Sequence, residues 1–169
     1  MGMLSLGVAA PETGGVWYEN GKPAPDTPSR KSSGEFGAHL IVTDDADALY
    51  EFWRTKPGAV PVKAVGTVKA GTRMETVVFF VGCAADSVGH CLVEASATVT
   101  TGTGKVLIED QRLTLSARQR PSGRNLGISE NGVGVEADRA HRSYIFTLDV
   151  VDRVASRSVT LTQAVVVQE

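Results

Sequence analysis

The sequence predicts an all-β fold, and two observations lead to this prediction. From about Gly71 onward, short segments rich in Val, Thr and Phe are separated by clusters of Gly, Asp, Ser and Asn. Strands repeating every 8–12 residues or so, with turn residues between them, are typical of an antiparallel β-sandwich or barrel. A chain of 169 residues is also long enough for one such domain with a core of its own.

Composition argues against two classes of partner. The net charge is −2 and the pI is near 5.9, whereas proteins that grip nucleic acid or an anionic membrane need a strong positive field. No stretch approaches the roughly 20 consecutive apolar residues that span a bilayer. No cofactor-binding motif is present either, so the sequence predicts no cofactor, no nucleic acid and no transmembrane segment.

The N-terminal third of the chain divides into an arm and the start of the domain. Residues 1–34 are predicted to be a flexible or extended arm and residues 35–169 the β-sandwich domain, because four of the seven prolines lie in residues 11–34 without a periodic apolar face. Trp17 and Tyr18 interrupt this arm. They either anchor it to the sandwich or to a neighbouring subunit, or form a stacking platform for a protein or a sugar.

Residues 1–10 leave two interpretations open. They are weakly apolar and end in small residues that a signal peptidase accepts, but they lack a basic segment. They are either a flexible leader or the remnant of a signal peptide.

The domain begins with a strand and a helix. Phe36–Thr43 alternates as a strand, and Asp44 and Asp45 end it. Residues 46–54 place Leu49 and either Phe52 or Trp53 on one face, which predicts a short helix packed on an end or face of the sandwich. The edge strand that follows is predicted over residues 61–68, blunted by proline and lysine.

The remaining strands follow in close succession. Residues 73–81 form the strongest, because residues 77–81 are apolar on both faces, and residues 91–100 are predicted to be its hairpin partner, with a solvated face. Short strands are predicted at 106–108 and 112–117, and a final hairpin joins residues 144–150 to 159–167. The total is about seven to nine strands with one short helix.

Cys83 and Cys91 flank a segment of Asp, Ser and Gly that favours a turn. At the facing ends of a hairpin their Cα atoms would come within the roughly 4.4–6.8 Å that a disulfide needs. We therefore predict a disulfide, which persists only in an oxidising compartment, and hence a periplasmic or secreted location. Two free thiols in a cytoplasmic protein are the alternative. A zinc site is disfavoured because no second pair of ligands stands at metal-ligand spacing.

Residues 138–144 carry the one resemblance to a known family. The segment Asp138-Arg-Ala-His-Arg-Ser-Tyr144 resembles the turn before strand F of immunoglobulin-like domains, where an Asp, a small residue and a Tyr build a corner. The resemblance implies an immunoglobulin-like β-sandwich in which the Tyr144 hydroxyl bonds main chain of the preceding turn. It implies no function.

Two charged clusters are candidate sites. Asp45, Asp47 and Glu51 could ligate a cation, although helix capping explains such carboxylates without one, and no EF-hand spacing is present. A basic loop could bind an acidic protein or a glycan, and it contains Arg118, Arg120 and Arg124, to which Arg139 and Arg142 would add if the fold gathers them.

No motif for nucleophilic catalysis or for a phosphate loop is present, and His39, His90 and His141 stand far apart in sequence. The sequence therefore favours a non-enzymatic exported binding or structural module that acts through a sheet edge or end loops. Its partner would be a protein or a glycan, and a homodimer could form through the arm or a sheet edge. A small sandwich-fold hydrolase or metal-dependent enzyme, and an inhibitor or adaptor protein, are the alternatives.

Overall fold

The computed structural model describes residues 15–56, 64–117 and 126–169. Two antiparallel sheets carry most of these residues, and one helix lies between the fourth and fifth strands. In chain order the elements are β1 (Tyr18–Glu19), β2 (Lys22–Pro23), β3 (Arg30–Ser33), β4 (Phe36–Thr43), α1 (Ala46–Thr55), β5 (Thr67–Lys69), β6 (Arg73–Val81), β7 (Val93–Thr101), β8 (Val106–Ser116), β9 (Gly127–Ile128), β10 (Gly134–Glu136), β11 (Ser143–Asp152) and β12 (Arg157–Gln168).

Each sheet has five strands among the described residues. The helix-side sheet runs β10-β6-β4-β3, with β9 also paired to β6, and the open sheet runs β5-β12-β11-β7-β8. Every pairing between these strands is antiparallel except that of β5 with β12, which is parallel. The two-residue strands β1 and β2 form a separate hairpin. The all-β prediction is thus confirmed, and the described strands outnumber the predicted seven to nine because five of them are only two or three residues long.

The main core lies between the two sheets. Alternate residues of β4, β7, β11 and β12 point inward and are buried, among them Leu40, Ala97, Phe146 and Leu161. A period of two residues places one side of each strand in this core and leaves the other side for a second environment.

The helix-side sheet is covered on both faces. Helix α1 packs on its outer face, where Leu49 joins Ile41, Val77 and Phe79 in a second buried cluster. This second layer explains why residues 77–81 are apolar without alternation, because both of their faces are buried. The predicted helix on a face of the sandwich is confirmed.

The predicted hairpin between residues 73–81 and 91–100 is wrong. β6 belongs to the helix-side sheet and β7 to the open sheet, where β7 pairs with β8 and β11. Two neighbouring apolar strands with a turn between them are compatible with a hairpin or with a crossing from one sheet to the other, and here the chain crosses. The prediction of two separate short strands at 106–108 and 112–117 is also wrong. A single bulged strand, β8, contains most of both segments.

Part of the predicted arm is attached to the helix-side sheet. Residues 30–33 pair with β4 as its edge strand, and Asn20-Gly21 turns the β1–β2 hairpin with positive φ at both residues. Residues 1–14 lie outside the described residues, and so do residues 57–63, which include the first three positions of the edge strand predicted at 61–68. Of the described part of that segment, only residues 67 and 68 are in a strand, as the start of the edge strand β5. The division into an arm and a domain at residue 34 stays a prediction.

The sandwich has two ends, which we name by their landmarks. At the disulfide end, Val93 of β7 pairs with Asp152 and Ser116; at the tyrosine end, Thr101 pairs with Tyr144. Val93 and Thr101 are eight positions apart in β7, a distance of about 26 Å at roughly 3.3 Å per residue.

Candidate functional site

Cys83 and Cys91 form a disulfide, with their Cα atoms 5.7 Å apart. The bridge closes the connection between the two sheets rather than the end of a hairpin. Within the loop, one Asp86 carboxylate oxygen accepts from the backbone N–H groups of Val88 and His90, at 2.9 and 2.8 Å. Hydrogen bonds from backbone N–H groups, that of His90 first, lower the pKa of Asp86.

Asp152 fixes the same end of the molecule from the opposite side. It is fully buried, its Oδ2 accepts from Ala84 N at 2.9 Å, and its Oδ1 accepts from Val154 N at 3.1 Å. One carboxylate therefore holds the disulfide loop and the turn between β11 and β12 together.

Trp17 and Tyr18 have different environments. Trp17 is 9% exposed, donates from Nε1 to the carbonyl of Lys31 at 3.1 Å, and meets the His39 ring edge-on at 5.9 Å. Gly37 makes this packing feasible, because a Cβ there would collide with Val16 and Trp17. Trp17 is thus the predicted anchor, and its target is the outer face of the helix-side sheet.

Tyr18 is 62% exposed and stands beside a cavity of about 1050 Å³ at the disulfide end. We call this space the end cavity. Its walls combine apolar side chains, glycines, one carboxylate and the disulfide loop, and they comprise Gly15, Val16, Trp17, Tyr18, Gly21, Glu35, Val81, Gly82, Cys83 and Leu126. Its volume lies at the upper limit of known ligand sites, which range from roughly 300 to 1,000 Å³.

Arg118, Arg120 and Arg124 lie outside the described residues. Leu126, two positions after Arg124, lines the end cavity. Arg139 and Arg142 line a different cavity, at the tyrosine end. Whether the fold gathers them with the basic loop stays a prediction.

The acidic cluster has a structural role. Asp45 caps α1 by accepting from Ala48 N at 2.9 Å, and Glu51 pairs with Arg54 at 2.6 Å. Asp47 lies in the first turn of α1, where a negative charge favours the helix dipole. Over residues 15–56, 64–117 and 126–169, no group of three or more His, Cys, Asp or Glu side chains is placed to hold a metal ion.

The three histidines have separate surroundings. Burial lowers the pKa of His39 to about 4, with the nearby Arg30 charge acting in the same direction and Glu19 opposing it. His141 meets the Tyr144 ring edge-on at 5.8 Å, and His90 belongs to the disulfide loop. Tyr144 is buried, accepts from Asp138 N at 2.7 Å and donates to Glu136 O at 3.5 Å, so its predicted bond to the preceding turn is confirmed.

The edges of the open sheet are poorly suited to adding a strand from a partner. β8 is the long edge of the open sheet, but its pairing with β7 contains register shifts, and Asp110 in it has a φ of 45°. Bulges and charges of this kind twist an edge away from pairing. β5, at the other edge, has only three residues.

Sequence reasoning missed a groove on the outer face of the open sheet. It has a volume of about 390 Å³ and is lined by polar side chains of β7, β8 and β11 together with Arg153. Arg153 pairs with Glu94 at 2.5 Å, and Ser96 donates to Asp110 at 3.2 Å. The alternation of Glu94, Ser96 and Thr98 marked this face as solvated, but the strand order that brings Arg112 and Asp149 to it is not visible in the sequence.

Comparisons with known proteins identify no family. Neither a protein-family model nor a curated protein matches the sequence. Among solved structures, the chain is similar to one described as showing glycolipid glycan hydrolysis by a family 123 glycoside hydrolase from Clostridium perfringens. The TM-score is 0.44 at 8% identity, over 78% of this chain and 27% of that one. The chain thus spans about a quarter of that protein's length. A likeness of this size assigns neither a family nor a function. None of the described helices is sufficiently long and apolar to cross a membrane.

Proposed function

We propose that this chain is a non-enzymatic binding module that holds a segment of a protein partner in the end cavity. The observation that carries the proposal is the position of Tyr18, a large aromatic side chain that is 62% exposed beside a cavity of about 1050 Å³. Exposed tyrosine at a concave site is typical of recognition surfaces, because its ring supplies contact area at low entropy cost and its hydroxyl can hydrogen-bond.

The surroundings of Tyr18 favour a rigid site. Trp17, the preceding residue, packs on Gly37 and His39. Cys83, which also lines the cavity, is fixed by the disulfide and by the bond from Ala84 N to Asp152. A site built on fixed elements loses less entropy on binding than a mobile one. Val16, Val81 and Leu126 offer apolar contacts, while Glu35 supplies one carboxylate. The ligand that fits is an apolar or aromatic side chain in an extended segment.

A sugar ring is the second candidate, because it stacks on a tyrosine face as readily as an apolar side chain does. An exported location belongs to the same proposal. The disulfide supports it, since such a bond persists in oxidising compartments. We also propose that the sandwich is immunoglobulin-like, supported by the bond between Asp138 N and the Tyr144 hydroxyl.

The test is a selection of random peptides displayed on phage against the immobilised native protein, with a glycan array in parallel. We expect selected peptides to carry an aromatic or large aliphatic residue, and their binding to fall at least about tenfold for Tyr18→Ala. Val106→Ala is the matched control, because Val106 is also exposed, at 48%, but lies in β8 outside the end cavity. Ligands that bind Tyr18→Ala as well as the native protein would contradict the proposed site, and hits confined to glycans would replace the protein segment by a sugar.

A further inference from the structure

The outer face of the open sheet is a broad surface that no described element covers. Its side chains alternate with those of the core along β7, β8, β11 and β12. Cross-strand pairing arranges them in rows, because directly opposed residues in neighbouring strands point to the same face. The row through Ser96 contains Arg112 of β8, Asp149 of β11 and Thr160 of β12.

This row places opposite charges on either side of the central strand. Arg112 and Asp149 each pair with Ser96 and so lie one strand, about 4.8 Å, from β7 in opposite directions. Both residues are exposed. Asp149 accepts a hydrogen bond from Thr160, whereas Arg112 forms no ion pair with any described residue. Arg112 and Asp149 thus lie at equal distances on either side of β7 and carry opposite charges. A face with this arrangement is complementary in charge to a second copy of itself.

We propose that a second copy of this chain docks on this face, related by a two-fold axis along β7. Rotation about that axis exchanges the β8 side with the β11 side, so Arg112 of each copy meets Asp149 of the other. A two-fold interface uses one patch twice and therefore forms both ion pairs together. The strands of two packed sheets cross at up to about 30°. Because Arg112 and Asp149 lie only one strand from the axis, a rotation of this size displaces them only slightly.

The neighbouring rows agree with the arrangement. Thr114 of one copy faces Val151 of the other, because both pair with Glu94. Glu94 lies on the axis and meets its own counterpart, but its ion pair with Arg153 offsets that repulsion. The groove of about 390 Å³ along this row provides space for the partner's long side chains.

The area of the face sets the expected strength. Because the axis runs along β7, only β8, β7 and β11 of the two copies overlap, and each β12 lies beyond the partner's β8 edge. Three strands at roughly 4.8 Å spacing and about 30 Å of length give on the order of 430 Å² per copy, which is below the usual size of specific interfaces and typical of weak, transient ones. The dimer is therefore weak and concentration-dependent. Because its ion pairs stand near solvent, added salt weakens it.

The experiment uses the full chain and two charge-reversed variants, Arg112→Asp and Asp149→Arg. Sedimentation equilibrium from about 1 µM to about 1 mM should show dimers of the native chain. Each variant alone brings like charges together twice, so its dimer dissociation constant should rise at least about tenfold. An equimolar mixture of the two variants restores both attractive pairs, and its dissociation constant should return to within about threefold of the native value.

Arg54→Asp and Glu51→Arg are the matched controls, because they make the same charge reversals at exposed positions on α1. They should dimerise as the native chain does. Circular dichroism of each variant establishes that it is folded, and the double variant Arg112→Asp/Asp149→Arg provides a second readout because it also forms both pairs. A monomeric native chain across this range, dimers that persist in both single variants, or a mixture that stays monomeric would each overturn the proposal.

Discussion

His39 makes stability depend on pH. Its pKa is lowered to about 4 from 6.5, chiefly by burial, and the Trp17 ring packs against it. The His39 side chain therefore binds a proton more weakly in the folded state than in the unfolded state. Stability from this residue is complete above about pH 6.5 and is lost as the pH falls toward 4. At pH 5 the loss should be about 2 kcal/mol, at roughly 1.36 kcal/mol per pKa unit.

Urea unfolding of the native chain and of His39→Gln at pH 7 and pH 5 measures this loss. The variant cannot titrate at position 39. Between pH 7 and pH 5 its free energy of unfolding should therefore fall by about 2 kcal/mol less than that of the native chain. Equal changes in both proteins would show that His39 takes up its proton without cost.

Tyr144→Phe should lower the free energy of unfolding by about 1 kcal/mol, since the ring stays but Asp138 N loses its acceptor. Tyr18→Phe is the matched control at an exposed ring, and its effect should lie within about 0.5 kcal/mol. Urea denaturation of both variants makes the comparison. A Tyr144→Phe protein as stable as the control would mean that water replaces the lost bond.

At the scale of elements, the disulfide loop is the stabilising connection between the sheets. Eight positions separate Cys83 from Cys91, and closing so short a loop should contribute about 2–3 kcal/mol. Cys83→Ser/Cys91→Ser should therefore unfold at lower urea by that amount. As a control, adding reductant to the native chain should lower its free energy of unfolding by the same amount. Thiol labelling of the unreduced native protein should find no free thiol.

The N-terminal elements should divide into a dispensable and a required part. Deleting residues 1–34 removes β3 and exposes the face beneath Trp17, so we expect a loss of at least about 3 kcal/mol. Deleting residues 1–14 should leave the thermal midpoint within a few degrees, about 4 °C or less. Thermal melts of both truncated proteins test this. Equal thermal midpoints for the two would show that residues 15–34 contribute nothing to stability.

Much of the fold could be predicted from local pattern, but the connections between elements could not. Alternation in residues 143–152 and the Asp45 cap are local signals, and the elements they predict are present. Whether β6 continues into a hairpin or crosses to the other sheet depends on contacts distant in sequence, which no local pattern encodes. Asp152 shows the same limit, because a turn aspartate gives no sign that it is fully buried and bonded to Ala84.

The candidate site was predictable only as separate parts. Trp17, Tyr18 and Cys83 stood out by residue type, yet their meeting around one cavity depends on the path of the chain over the sheet end. Arg112 and Asp149 were not found at all, because 37 positions separate two residues that flank the same strand.

At the scale of the whole molecule, the crossing between β6 and β7 affects how the chain reaches its native state. The helix-side sheet draws strands from residues 30–136 and the open sheet from residues 67–168, so their segments interleave. Each sheet takes described strands from both halves of the chain, so neither half contains all the strands of either sheet. Because partners so distant must first find each other, refolding should be a single cooperative step on the scale of milliseconds to seconds, as for other sandwiches dominated by non-local pairing. The open sheet would therefore be completed only after β12 has left the ribosome.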